Sequence, residues 1–503
     1  MGMNMHARLA LALALCAGTA AADTLIRGAT VIDGSGQPGY VADVTLRDGL
    51  IAGIGKVTPR AGDTVVDAKG LVLAPGFIDA HSHHERGLEP DLEARSAISQ
   101  GITTAIVGVD GTSELPLGDW FAMREKSPAS INFASFTGHG SVRKAVLGAD
   151  YRRIATPAEV KRMEALLAAD MKAGALGLSS GLEYDPGIYS NTAELVSLAK
   201  VASASGGIYT SHVRSEDVAL DQAQDEAATI GREAKIRVQL SHLKISLIDN
   251  WGQASAMLKR IEGWRAEGID IAADVYPYTY WYSSIVSVFP KRDFDNIEAS
   301  RHALKHVAHA DGIIIEYFAP EPRYKGMTVA QIAKERGQPE AETLQWLIKR
   351  AYPDGNVDTP DKREGVMGVS MSEEDVSTFL DWPLASICSD GDSDGGHPRG
   401  AGAFTRYLRH YVLDKDPSTL PDAIRRSTSL TAQRYGIPNR GLIAVGRAAD
   451  VVLIDTATVR DNANLQDSLA VSSGITSVWV NGEQVWDGTK STGKRPGEIV
   501  RRM

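Results

Sequence analysis

Eight short apolar runs, each ending in a polar or charged residue, recur through the middle of this chain. They are GFIDAHSHH, ITTAIVGVD, NFASFTGHG, ALGLSSG, GIYTSHV, RVQLSHLK, IDIAADVYPY and LASICSD. Between them lie segments such as TPAEVKRMEALLAADMKAG and TAELVSLAKVASASG, with apolar residues at helical spacing and a Thr or Ser before the start. Eight strands alternating with helices predict an α/β fold, a (β/α)8 TIM-type barrel over residues 76–436. In such a barrel the chemistry gathers at the C-terminal ends of the strands. Here those ends carry His81, His83, Asp110, His139, His212, His242 and Asp390. The stretch from about 293 to 374 is long for a loop and has its own helical pattern, so an insertion is expected there, near the mouth.

The flanks read differently. TLIRGATVIDGSG, VADVTLRDGLIAGIG and GDTVVDAKGLVLAPG are short β-branched runs broken by Asp-Gly and Lys-Gly turns, and GRAADVVLIDTATV and ITSVWVNGEQVWDGT repeat that texture near the other end. Residues 23–75 and 437–503 are therefore expected to form one small discontinuous β-sandwich domain. Residues 1–22 carry one cation, Arg8, then an apolar run to Cys16, then small residues with Ala20 and Ala22 bracketing a cleavage site. That is the layout of a secretory signal peptide, which predicts a periplasmic or secreted protein. Cys16 raises lipoprotein anchoring as an alternative, against which Leu15 is a poor neighbour. The apolar run is too short to span a bilayer. Two cysteines, Cys16 and Cys388, cannot supply a disulfide framework. With 53 Lys+Arg against 63 Asp+Glu, the net charge of −10 argues against nucleic acid or an anionic membrane as partner.

His81 and His83 are two apart, so on an extended strand both face one side. Imidazole is the commonest zinc ligand, and two on one strand end can grip one ion. A lone H-x-H is often just core packing. Here the chemistry recurs: His212 ends one strand, His242 the next, and Asp390 the last. Ligands placed at several strand ends of one barrel predict a metal centre.

The same residues carry a family resemblance. PGFIDAHSHHE, the two single-histidine strands and the late SDG resemble the amidohydrolase superfamily. Within it, QGITTAIVG, GHGSVRKAVLG, GALGLSSGLEYDPG, YTSHVRSE, SHLK, DVYPYT, VSMSEEDV and HPRGAGAF are similar to the N-acyl-D-amino-acid deacylases (D-aminoacylases). The resemblance implies that His81, His83, His212 and His242 bind metal, and that Asp390 serves both metal and proton transfer. It also implies that Lys244 and Arg399 take a substrate carboxylate. One departure stands out: family members commonly have Asn-Cys-Gly after the second strand, whereas this chain has Val109-Asp110-Gly111. A carboxylate can bridge two ions, so Asp110 is inferred to take the place of the cysteine. Oxygen in place of thiolate relaxes a zinc preference towards Mn2+ or Co2+; one or two Zn2+ ions are expected.

The implied reaction is hydrolysis of a small-molecule N-acyl amino acid. Metal-held water ionises near pH 7 rather than at 15.7, that is, at about neutral pH. Asp390 would deprotonate it and pass the proton to the leaving amine. His139 is a candidate donor to the developing oxyanion, and Tyr276 or Tyr278 a candidate hydroxyl donor to substrate. The rival within the superfamily is a dipeptidase releasing a D-residue, or a cyclic-imide hydrolase. The rival of another class is a serine hydrolase, since Gly177–Gly181 fits G-x-S-x-G with Ser179 as nucleophile. A non-catalytic metal-stabilised binding protein is a third reading. His302 and His306, without an intervening H-E-x-x-H glutamate, are read as surface residues, and Cys388 as core.

Overall fold

The computed structural model describes residues 23–502 except 90, 290, 356 and 358–362. The signal-peptide reading of residues 1–22, Cys16 included, lies outside the described residues. Each of the eight runs contributes a barrel strand. In order these are Phe77–Asp79, Ile102–Val107, Asn132–Ser135, Gly177–Gly181, Ile208–His212, Arg237–Leu240, Ile271–Val275 and Ala385–Ile387. They pair parallel in two arcs, which meet where the third strand continues as Thr137–Gly138 beside the fourth. The ring closes between the first and last strands: Ala80 N–H donates to Ile387 O (3.3 Å) and Asp390 N–H to His81 O (2.8 Å). Almost every strand residue is buried, as a sheet covered on both faces requires.

Local sequence sets the outer helices. Pro157–Ala173 opens with a reciprocal capping box between Thr156 and Glu159, has Pro157 in its first turn, and stops at Gly174 (φ 110°). Met163, Leu167 and Met171, four apart, form its buried stripe. Helix Thr192–Ala204 is capped by Asn191, whose side chain accepts from Glu194 N–H. Its cap thus lies one residue before the threonine that the sequence suggested.

Strands from both chain ends share one mixed sheet. In that sheet Thr24–Val31 pairs with Tyr40–Arg47 and Val72–Pro75, which pairs in turn with Val451–Ile454. Ile26, Val44, Leu73, Val451 and Trp479 are among the side chains of its own core. A buried polar knot ties this unit to the barrel. Asp450 accepts from the Asn132 amide (3.0 Å) and Asn481 N–H (2.7 Å) and is paired with Arg440.

The insertion begins sooner than the spacing suggested. Tyr280–Ser283, directly after the seventh strand, is already an edge of an antiparallel sheet with Glu364–Val369 at its centre and Ile313–Phe318 beyond. Helices Ile297–His306, Val329–Arg336 and Glu340–Ala351 pack on it around a separate core that includes Ile285, Phe318, Leu344 and Val366. Among the described residues no helix is long and apolar enough to cross a membrane.

Candidate metal centre and carboxylate pocket

Six side chains from five strand ends converge at the barrel mouth. His81 and His83 follow the first strand directly, and their Nε2 atoms lie 3.3 and 3.2 Å from Asp110 Oδ2. The same two nitrogens lie 3.5 and 3.4 Å from Asp390 Oδ1. A second group shares Asp110: His242 Nε2 is 3.5 Å from Asp110 Oδ1 and 3.1 Å from His212 Nδ1. All six are buried or nearly so.

Both groups fit a metal ion. Ligands at about 2.0–2.2 Å around a tetrahedral ion sit about 3.3–3.6 Å from one another, close to the spacings found. Asp110 Oδ1 is buried without a hydrogen-bond partner among the described residues, a state that costs free energy unless a cation satisfies it. One carboxylate oxygen faces each group, so Asp110 could serve as a ligand in either.

The backbone is bent to present these groups. Asp110 (φ 53°), His242 (φ 34°) and Asp390 (φ 50°) all occupy the left-handed region, which is unfavourable for residues with a Cβ and concentrates at functional sites. Ser179 braces the first of these turns: its hydroxyl donates to Gly108 O (2.6 Å) and accepts from Gly111 N–H (3.2 Å). Fully buried and spent on the backbone, Ser179 is no nucleophile, and the serine-hydrolase reading falls. Asp274, from the seventh strand, accepts from His242 N–H (2.7 Å) and holds the second turn.

Electrostatics follow from the crowding. Burial would raise the carboxyl of Asp110, but the histidines around it outweigh that and hold it well below the ordinary value. Asp390 behaves alike: burial is overcome chiefly by Arg399, then by the histidines. Burial pulls the four imidazoles down, yet the acidic side chains beside them raise all four above the usual value.

Beside the centre lies a cationic pocket. Lys244 Nζ and Arg399 Cζ are 5.6 and 4.8 Å from the centroid of the Tyr276 ring, and the Tyr276 hydroxyl is buried without a hydrogen-bond partner among the described residues. Arg399 Nη1 is 2.7 Å from Asp390 Oδ2, which joins pocket and centre.

Two expected participants lie elsewhere. His139 donates from Nε2 to Glu194 (2.8 Å), which also pairs with Arg143 (2.5 Å). The three brace helices His139–Leu147 and Thr192–Ala204, so the oxyanion-donor role assigned to His139 is withdrawn. Tyr278 packs edge-on to His397 (5.1 Å) with Arg406, rather than Lys244 or Arg399, over its ring (4.8 Å). Of the two tyrosines, Tyr276 is the one in the pocket. His306 pairs with Asp249 on the surface (2.6 Å), and Cys388 is fully buried.

Two carboxylates escaped the sequence reading. Glu183 accepts from His212 Nε2 (2.8 Å), and Glu216 lies 3.1 Å from His242 Nδ1 and 2.9 Å from Lys244 Nζ. Their signal is position: Glu183 comes two residues after the fourth strand, and Glu216 four residues after His212.

A ring of strand-end histidines and acids on a (β/α)8 barrel defines a metal-dependent hydrolase, and the comparisons agree. The chain matches the amidohydrolase family over residues 64–284 and 298–486, and it belongs to that family, among the D-aminoacylase-like members. It is 34% identical to the D-aminoacylase of Alcaligenes xylosoxydans xylosoxydans, over 95% of this chain and 98% of the relative. It is 36% identical to the N-acyl-D-glutamate deacylase of the same organism, over 95% and 96%. The structure of the N-acyl-D-glutamate deacylase of Bordetella bronchiseptica, complexed with zinc and a phosphonate mimic of the tetrahedral intermediate, is similar with a TM-score of 0.84. That similarity is at 31% identity over 95% of this chain and 99% of the other.

Proposed function

We propose that this protein hydrolyses the amide bond of N-acyl-D-amino acids, giving a carboxylate and a free D-amino acid. The observation that carries this reading is the Lys244–Tyr276–Arg399 pocket joined to the donor group through Asp390. It offers an ammonium, a guanidinium and an unpartnered hydroxyl beside a centre suited to hydrolysis. Arg399 presents the planar fork that matches a carboxylate, and Lys244 adds a point charge. The relatives, a D-aminoacylase and N-acyl-D-glutamate deacylases, support the D-amino-acid half of the assignment.

A divalent metal such as zinc, held by His81, His83, Asp110, His212, His242 and Asp390, supplies Lewis acidity and an activated water at neutral pH. The rest falls to the chain. Lys244, Arg399 and the Tyr276 hydroxyl fix the α-carboxylate, so the scissile carbonyl is delivered in one orientation. Asp390 presents Oδ1 to the metal-binding histidines and Oδ2 to Arg399, and as a carboxylate between the two it would take a proton from the nucleophile and pass it to the leaving nitrogen. Glu183, accepting from His212 Nε2, fixes that ring and leaves Nδ1 to face the other donors.

The test is a panel of paired D and L N-acyl amino acids, dipeptides and cyclic imides, assayed on protein loaded with defined metals. Deacylation confined to the D series is expected; hydrolysis confined to cyclic imides would overturn the substrate assignment. Export is also part of the proposal. The charge, apolar run and small-residue site in residues 1–22 support a periplasmic or secreted enzyme, and N-terminal sequencing of the exported chain beginning at Asp23 is the expected result.

A further inference from the structure

His242 is wedged between two demands. Its Nε2 faces Asp110 and His212 in the donor group, while its Nδ1 lies 2.7 Å from Lys244 Nζ and 3.1 Å from Glu216 Oε1. Lys244 Nζ is itself 2.9 Å from that same Glu216 oxygen. All three side chains are nine-tenths buried or close to it, so water has little room to substitute for any of these contacts.

Hydrogen-bond chemistry decides what this triangle does. A neutral imidazole has one N–H and one lone pair, and an ammonium only donates. When Nε2 gives its lone pair to a metal, the ring proton must sit on Nδ1. Of the two neighbours of Nδ1, only Glu216 can accept that proton. The 2.7 Å approach of Lys244 to Nδ1 then sets donor against donor, and the ammonium must draw back from the ring. It stays tethered to Glu216, which has a second oxygen and lone pairs to spare.

We propose that Glu216 is a positioning residue which both fixes the metal-binding tautomer of His242 and tethers the Lys244 ammonium, so that filling the metal site turns Lys244 from the histidine towards the substrate carboxylate. The lysine half rests on the functional reading above; the histidine half does not. Carboxylates behind ligand histidines commonly change metal affinity by about 10–100-fold, and that sets the expected scale.

The experiment measures zinc affinity by chelator competition, in the absence of substrate, for the wild type, E216Q, E216D and K244M. Each variant's thermal midpoint is recorded alongside. E216Q keeps the shape but loses the charge that holds both partners, and it should bind zinc about 10–100-fold more weakly. E216D should recover part of that loss. K244M leaves Glu216 free for His242 and should bind zinc at least as tightly as the wild type. At saturating zinc, both E216Q and K244M should raise KM by a larger factor than they lower kcat. Wild-type zinc affinity in E216Q overturns the proposal, as does a loss in K244M equal to that in E216Q. If E216Q does not fold, K244M still decides, because weakened zinc binding there contradicts the assignment. Because zinc affinity is read without substrate, failure of the D-amino-acid reading would show in the substrate panel and leave this test standing.

Discussion

At the scale of single residues, the centre is an arrangement of acids that make histidines basic and histidines that make acids weakly basic. Asp390 joins the two halves, one oxygen on the imidazoles and the other on Arg399. Asp390→Asn preserves the shape but cannot carry a proton as a carboxylate does. With metal retained, kcat should fall by about 10^2–10^4-fold, as steady-state kinetics on metal-saturated protein would show. The imidazoles give a second prediction. Each of the four has its proton affinity raised in the folded chain, and each must be unprotonated to ligate. Metal affinity should therefore weaken as pH falls, starting above the ordinary imidazole value of about 6.5. Chelator competition between about pH 5.5 and 8 should show a steep loss involving more than one proton. The donors themselves were legible in the sequence because each sits at or just past the end of an apolar run. Glu183 and Glu216 were not, since they stand in loops whose path depends on the neighbouring strands. His139 looked equivalent to the other strand-end histidines, and only its tertiary partner, Glu194, shows that its hydrogen bond is spent elsewhere.

At the scale of elements, strong local signals and real boundaries coincide where caps are explicit. Thr156 and Glu159 bond reciprocally at the start of helix Pro157–Ala173, with Arg153 reinforcing the glutamate. Thr156→Ala removes the acceptor for Glu159 N–H and should cost about 1 kcal/mol of stability, measured as a lowered midpoint in urea with activity unchanged. The start of the insertion was obscured for a physical reason. Tyr280, Trp281 and Tyr282 continue the aromatic texture of Tyr276 and Tyr278 that follows the seventh barrel strand, and Pro277 stands before Tyr278 rather than where the insertion begins. Yet they pair antiparallel with Glu364–Val369, some eighty residues later. Sequence proximity cannot reveal a partner at that distance.

At the scale of the whole molecule, the small domain is joined to the barrel by buried charge as well as apolar packing. Arg440, 7% exposed in its side chain, is paired with Asp450, which also takes the Asn132 amide from the third barrel strand. Asp450→Ala would leave that guanidinium buried with the exposed Glu498 as its remaining ionic partner among the described residues. A loss of about 3–5 kcal/mol is expected, read from chemical denaturation as a shifted midpoint. The hydrogen bond from Asp390 N–H to His81 O that closes the barrel has another consequence. It joins the first and last staves at the spot where the ion-binding groups gather, and these come from residues more than three hundred apart. While the ribosome is still making the chain, an emerging polypeptide holds only part of the cage. Metal loading at full strength must wait until the last stave is in place, so prematurely ended chains should have no hydrolytic activity.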